Sequence, residues 1–348
     1  MGRPTKHVTR LDLWINPVFG ERLGREADIT LEVAPLAGSD AEILAALGRA
    51  HVYHISPARN ELPVKWQAND ALLDRLPGLL AVSSAAAGFD TVDVEACTRH
   101  GVLVVCQIGG NAQSVAEHAI GLMLAVRHKI AYSDRLLRTT RGYSREDLMG
   151  TEISGKTVGI VGLGNTGRRT AAIAHGFGMT VLACDPFLTE AEVAERGAKK
   201  VDLRTLLESV DIVSLNCPLD KTTRGMIGAD AFARMRKGAI IVSTARGGVL
   251  DEAALYAALK SGHLAGAGLD VWETEPPPLD HPLLTLDTVV ATHHTAGVAH
   301  EARFNVAEWG AEQIVQLLRG EKPPRLVNPE VWPTFEKRYA QIFGTGRG

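Results

Sequence analysis

Residues 155–168 read GKTVGIVGLGNTGR, and the fold turns on how they are parsed. The run TVGIV is continuous and β-rich, the texture of a strand covered on both faces. It stops at Gly162, and glycines recur at Gly164 and Gly167 as a helical pattern, RRTAAIAHGFG, begins. In a strand–turn–helix of this spacing the first glycine permits the tight turn and the second lets backbone approach a pyrophosphate. The third lets the helix pack on the strand. The helix N-terminus then offers N–H groups and a partial positive charge to phosphate oxygens. The next strand candidate, TVLACD, ends in Asp185. An acid there suits a ribose 2′-hydroxyl and repels the extra phosphate of NADP. NAD is therefore the expected cofactor, bound by Gly162, Gly164, Gly167 and Asp185.

The same texture fills the chain on either side. Strand candidates RLDLWIN, HVYHIS, LLAVSSA, VLVVCQ, DIVSLN, AIIVST, AGLDV and TVVAT alternate with helical segments such as DEAALYAALKSG and NAQSVAEHAIGLMLAVRHKIAYSDRLL. Alternation of this kind predicts parallel sheets with helices on both faces. A break falls at IGGNAQS (108–114), a second strand series starts at ISGKTVGIVG, and a last long helix starts near Ala299. The expectation is an α/β protein of two doubly wound Rossmann-like domains with parallel sheets and a cleft between them. Residues 1–109 plus 300–348 would form a discontinuous substrate domain, and 110–299 the NAD-binding domain. Residues 56–69, SPARNELPVKWQAN, read as an irregular loop long enough for a functional lip.

Bulk composition excludes several classes. A chain of 348 residues suggests about two domains, and 45% apolar with 22% charged residues is a globular balance. A formal net charge of −3 and the lack of a Lys/Arg run argue against nucleic acid as a partner. The opening MGRPTKHVTR lacks the apolar core of a signal peptide, and Gly2 hints at acylation only with Lys6 where that motif wants Ser or Thr. The most apolar helical stretch, VAEHAIGLMLAVRHKIAY, is interrupted by charges, so no membrane span is expected. The four cysteines show neither CxxC nor zinc spacing. No metal site is expected, and reduced thiols fit a cytoplasmic location.

Candidate chemistry gathers at three strand ends. After AIIVST comes Ala245-Arg246-Gly247-Gly248; after AGAGLDV come Trp272, Glu273 and Glu275; after TVVAT come His293 and His294. Open α/β sheets bind ligands at the carboxyl ends of their strands. Arg246 can grip a carboxylate and a carbonyl oxygen with its planar fork. One of the histidines can pass a proton to a carbonyl oxygen as hydride reaches its carbon, with one of the glutamates fixing the ring tautomer. Neighbouring residues on an extended chain point to opposite faces, so the two histidines cannot share that task.

The sequence resembles the NAD-dependent D-isomer specific 2-hydroxyacid dehydrogenase family along nearly its whole length. The stretches that carry this are AAAGFDTVDVEACTRHGV, NAQSVAEHAIGLML, GKTVGIVGLGNTG, NCPLDKTTRGMI, STARGGVLDEAAL, AGAGLDVWETEPPP, THHTAG and VNP. The resemblance implies Arg246 as the substrate-binding arginine, Glu275 as the supporting carboxylate and His294 as the acid/base. His293 stands where the family usually has proline, and Thr295 replaces a branched apolar residue. It further implies that Asn165, Thr166 and Asp185 hold the cofactor, that Cys217, Pro218 and Thr222 line its adenosine side, and that Thr244 and Asp270 orient its nicotinamide end. Ala245 and Gly297 complete the implied cofactor contacts. The backbone of Ala87 and Gly88 would bind the substrate carboxylate, and Ser56, Arg59, Lys65 and Trp66 would border the substrate side chain. Arg59 is a candidate partner for a second anionic group, although a solvated surface role suits it equally. A homodimer built through the long helix near Asn111 is implied as well.

The reaction expected is hydride transfer between NAD(H) and a 2-oxo acid/D-2-hydroxy acid pair. Formate dehydrogenases are disfavoured, because their pattern has glutamine where Glu275 stands. A phosphite-dehydrogenase-like enzyme keeps the same three residues and stays as an alternative. So does an NAD-sensing, corepressor-like protein-binding module.

Overall fold

The computed structural model describes residues 4–344. Gly2, with its acylation hint, and residues 345–348 lie outside that range. The chain forms two compact units, one from the residues up to Asn111 with those from Ala299 onward, the other spanning Ala112–Val298.

In the first unit five strands, β1 (Lys6–Leu11), β2 (Ile29–Ala34), β3 (Val52–Ile55), β4 (Ala81–Ser84) and β5 (Leu103–Val105), form a parallel sheet in the order β2-β1-β3-β4-β5. One face buries Leu47, Tyr53, Ile55, Trp66, Leu79 and Val82. The other packs Val8, Val52, Leu80 and Val105 against Ala307, Ala311, Ile314 and Leu318 of the helix His300–Leu318, and against Phe335 of the helix Trp332–Phe343. Both faces are thus covered by helices, which is why the strand runs are continuous in hydropathy.

Two strands of this unit differ from the sequence reading. β1 begins earlier than RLDLWIN, because the polar-looking KHVTRL is internally satisfied. Lys6 is buried with its ammonium 3.0 Å from Asp28, and Thr9 donates to the Ala46 carbonyl at 3.3 Å. Past Leu11 the chain turns, with the Arg10 guanidinium donating to the Leu11 and Leu13 carbonyls. β2, ITLEVA, carries no continuous apolar run because it is an edge strand, paired only with β1 and largely half-exposed.

In the second unit seven strands are all parallel: β6 (Thr157–Val161), β7 (Thr180–Cys184), β8 (Lys199–Lys200), β9 (Ile212–Leu215), β10 (Ile240–Ser243), β11 (Gly266–Leu269) and β12 (Val289–Ala291). Their order is β12-β11-β10-β9-β6-β7-β8. Two cores flank the sheet, one around Leu206, Phe232, Ile241 and Leu255, the other around Met123, Ile160, Val181 and Ile212. The single long helix expected from Asn111 is instead two, Ala112–Arg127 and Ile130–Thr139, parted at Lys129 with φ 54°. The first buries Val115, Ala119, Ile120 and Met123; the second buries nothing and exposes Ile130 and Leu137. Among the described residues no helix is long and apolar enough to cross a membrane.

Candidate active site

Parallel strands put every carboxyl end on one rim. Along that rim of the second unit the chain places, in spatial order, His294 beyond β12, Glu275 beyond β11, Arg246 beyond β10, Cys217 beyond β9, Gly162 beyond β6 and Asp185 beyond β7. The three candidate catalytic residues therefore occupy one half of the rim and the dinucleotide-turn residues the other.

The turn has the geometry that its glycines require. Gly162 sits at φ 88°, in the left-handed region, and a Cβ there would lie 2.9 Å from the Cys217 nitrogen. A Cβ on Gly167 would fall 2.2 Å from the Gly162 carbonyl oxygen, whereas one on Gly164 would meet open space. The helix Asn165–Gly176 starts at this turn with Gly164 as its N-cap and no side-chain cap. Asn165 accepts from the Arg168 guanidinium at 3.0 Å, and the Thr166 carbonyl accepts from the Thr170 hydroxyl. Asp185 is fastened to the turn: its carboxylate accepts from the Leu163 N–H at 2.9 Å and from the Phe187 N–H at 3.0 Å. Cys217 is buried, and burial pushes its thiol up to about 11, so it packs as an apolar group. Pro218 is exposed beside it, and the Thr222 hydroxyl donates to Asp220 at 2.6 Å.

The buried oxygens without a hydrogen-bond partner among the described residues include Thr244 Oγ1 and Asn216 Oδ1 on this rim, beside Ser243 Oγ at the end of β10. Buried polar atoms are ordinarily satisfied, so the two on the rim fit a polar ligand laid along the strand ends. Asn216 escaped sequence reasoning, although its place directly before Cys217 was a usable signal.

The catalytic half is joined directly. His294 Nδ1 lies 2.8 Å from Glu275 Oε2, and the other carboxylate oxygen of Glu275 accepts from the Trp272 N–H at 3.1 Å. Glu275 precedes a cis peptide bond to Pro276. His294 has φ 54° and donates its N–H to the Asp270 carbonyl at 2.8 Å. Gly247, next to Arg246, lies so close to the β11 loop that a Cβ would be 1.8 Å from the Trp272 carbonyl oxygen. That contact sets the Arg246 loop against the loop that carries Glu275. Arg246 is half-buried and donates to its neighbour's carbonyl, that of the buried Ala245, at 2.8 Å. His293 is exposed, as His294 is.

Asp270 is fully buried, and its carboxylate accepts from the Thr292 hydroxyl at 2.6 Å and from the N–H groups of Thr295 and Ala296 at 2.8 and 2.9 Å. It thus clamps the loop that holds His294 and runs on to Gly297. Two residues of the Ala112–Arg127 helix add to the clamp: His118 meets the Thr292 hydroxyl at 3.1 Å and Ser114 donates to the Ala296 carbonyl at 2.5 Å. Asp270 was named from the sequence for the nicotinamide end of the cofactor rather than for this clamp, and the braces were missed, since each contact joins residues far apart along the chain.

On the first unit, Ala87 and Gly88 lie in the loop beyond β4. Ser56 donates to Glu61 at 3.2 Å within its own loop, and Arg59 donates at 2.7 Å to the carbonyl of Asp90, in the loop beyond β4. Trp66 is not available to border a substrate. It is buried in the core, and Lys65 pairs with Asp40 at 2.7 Å.

Residues 120–296 match the family model described as "D-isomer specific 2-hydroxyacid dehydrogenase, NAD binding domain". The chain belongs to the D-isomer specific 2-hydroxyacid dehydrogenase family, and its cofactor is NAD. It is 41% identical over 263 residues to a glyoxylate reductase of Korarchaeum cryptofilum, a match covering 75% of this chain and 79% of that one. It is 40% identical over 300 residues to a D-3-phosphoglycerate dehydrogenase of Archaeoglobus fulgidus, covering 85% of this chain but 57% of the relative. The chain thus spans little more than half the length of that relative. Among solved structures, a glyoxylate reductase from Paecilomyes thermophila superposes with a TM-score of 0.82 at 26% identity, covering 94% of this chain and 99% of that one.

Proposed function

We propose that this chain is an NAD-dependent D-2-hydroxyacid dehydrogenase that interconverts a 2-oxo acid and its D-2-hydroxy acid. The observation that carries this reading is the 2.8 Å bond between His294 Nδ1 and Glu275, on the same strand-end rim as Arg246 and the dinucleotide turn. When bound, NAD supplies or accepts the hydride. His294 exchanges a proton with the substrate oxygen through Nε2, because Glu275 holds Nδ1 and so fixes the tautomer. Arg246 grips the substrate carboxylate and polarises the carbonyl, a task for which its planar fork is suited. On the first unit, the N–H groups of Ala87 and Gly88 are assigned to binding a substrate carboxylate. Asp270 keeps His294 in position by clamping residues 292–296. Thr244 and Asn216, with their unspent buried oxygens, hold NAD beside the glycine turn.

Small 2-oxo acids such as glyoxylate and hydroxypyruvate are the first substrates to test. The relatives named glyoxylate reductase are matched over most of their length, which supports that choice. The protein acts as a homodimer, with the helix Ile130–Thr139 supplying the contact, since its apolar Ile130 and Leu137 are uncovered. The deciding experiment is a panel of 2-oxo acids with NADH, followed by chiral analysis of the product. Arg246→Ala and His294→Ala should abolish reduction while NADH still binds, and His293→Ala should stay substantially active. Equal loss in both histidine variants would overturn the assignment.

A further inference from the structure

A buried chain of hydrogen bonds in the first unit ends on the loop assigned above to the substrate carboxylate. It starts at the Arg325 N–H, which donates to Gln313 Oε1 at 3.1 Å. Gln313 Nε2 donates to Gln107 Oε1 at 2.7 Å and to the Cys106 carbonyl at 3.0 Å. Gln107 Nε2 then donates to the Ser84 carbonyl at 3.1 Å, where β4 gives way to the loop. Both glutamines are essentially inaccessible to solvent, at 0% for Gln107 and 1% for Gln313. Each carboxamide oxygen accepts and each nitrogen donates, so neither group can flip without breaking its bonds.

We infer that Gln107, held by Gln313, is a positioning residue for the substrate-carboxylate loop Ala85–Gly88. The inference rests on the dehydrogenase reading and adds to it how the loop is aimed. A peptide unit is planar, so its carbonyl and the following N–H point in opposite directions as one rigid piece. The Gln107 N–H donates to the Ala86 carbonyl at 2.9 Å, and that bond fixes the direction of the Ala87 N–H. The Gln107 side chain holds the Ser84 carbonyl, while the Ala85 N–H is tied to the Ile55 carbonyl at 2.8 Å. At the far end Ser84 Oγ donates to the Gly88 carbonyl at 2.5 Å. The loop is thereby gripped on both sides of Ala87, with Gln107 supplying two of the grips.

The helix His300–Leu318 is placed to serve this relay. Gly310, one turn before Gln313 on the same face, has no side chain where a Cβ would come 3.2 Å from His54 and 3.6 Å from Gln107 Nε2. Core stability alone does not call for the arrangement. An apolar pair of the same shape would fill the site without needing each polar atom satisfied. The polar pair instead delivers directional bonds to one backbone segment.

The test is steady-state kinetics on the full chain, using the 2-oxo acid that the wild type reduces best. Gln107→Met keeps the volume and removes the donor; Gln313→Leu removes the support behind it. In both, KM for the 2-oxo acid should rise about tenfold, with kcat and the KM for NADH within about twofold of wild type, the signature of lost ground-state positioning. A purely structural role would lower Tm without this split. A soluble Gln107→Met enzyme with wild-type KM for the 2-oxo acid overturns the inference, as does an equal rise in KM for NADH. If the apolar variants are insoluble, Gln107→Asn keeps a shorter carboxamide and should give a smaller rise in the same KM; an unchanged value overturns the inference. A wild type inert on every 2-oxo acid would instead remove the dehydrogenase reading, and the inference with it.

Discussion

His54 offers a stability measurement whose size follows from its surroundings. It lies on β3 in register with Arg10 on β1 and Ser83 on β4. Its ring stacks on Phe19 with centroids 4.2 Å apart, Nδ1 meets the Ser83 hydroxyl at 3.1 Å, and Nε2 has no partner among the described residues. Burial first, and then the Arg10 charge, push its pKa from 6.5 down to about 3. The folded value lies below the unfolded one, so on acidification the unfolded chain takes up the proton first. Stability is therefore whole above the unfolded pKa and declines as pH falls from there toward the folded one. At about 1.4 kcal/mol per pH unit, moving from roughly pH 7.5 to roughly pH 5 costs about 2 kcal/mol at this one residue. Urea unfolding of wild type and His54→Gln at both pH values isolates it, because the other titrating groups are common to the two proteins. The wild type should lose about 2 kcal/mol more than the variant between the two conditions. Identical pH dependence would refute the reasoning and show that the ring gains a proton acceptor or water in the folded state.

Other expectations follow from the geometry of the second unit. Gly167→Ala places a methyl 2.2 Å from the Gly162 carbonyl, so the turn must open; NADH titration followed by fluorescence should show affinity lowered by about tenfold or more, and wild-type affinity would contradict the packing argument. Asp185→Ala removes the acceptor for the Leu163 and Phe187 N–H groups together with the charge facing a 2′-phosphate, and the ratio of kcat/KM for NADH over NADPH should fall. Asp270→Asn puts an amide donor against N–H groups of the 292–296 loop; kcat should drop about tenfold or more, measured beside Tm to separate loosening from unfolding. If the proposed homodimer forms through the bare face of the Ile130–Thr139 helix, Leu137→Asp should shift the sedimentation coefficient from dimer to monomer, and an unchanged value would refute that contact.

What could be read from the sequence was what lies close together along it. TVGIVGLGNTG is contiguous, so strand, turn and helix start were legible, and with them the α/β class and the nicotinamide cofactor. Arg246, the pair Glu273 and Glu275, and the pair His293 and His294 could be marked because they follow β-rich runs, while the choice of Glu275 and His294 within those pairs came from the family resemblance. Their mutual geometry could not be read: the Glu275–His294 bond joins residues 19 apart, and the approach of Gly247 to Trp272 is set by strand order. β1 was misplaced because Lys6 reads as solvent-seeking until Asp28, 22 residues on, is seen to satisfy it. The break at Lys129 left no glycine or proline to betray it. The Gln107–Gln313 relay spans 206 residues, and nothing local distinguishes either glutamine from a surface one.

The first unit is built from both ends of the chain, and this orders its synthesis. The five strands emerge from the ribosome early, but the apolar residues that cover one of their faces, from Ala307 to Phe335, arrive only after the whole of Ala112–Val298 has been made. A nascent polypeptide paused anywhere in that interval carries a sheet whose Val8, Val52, Leu80 and Val105 have Phe19 and Leu23 beside them but lack the cover of the late helices, while the continuous second unit can already close on itself. The first unit can therefore complete its core only after the second has been made, and shielding that face until the late helices appear is a natural task for a chaperone.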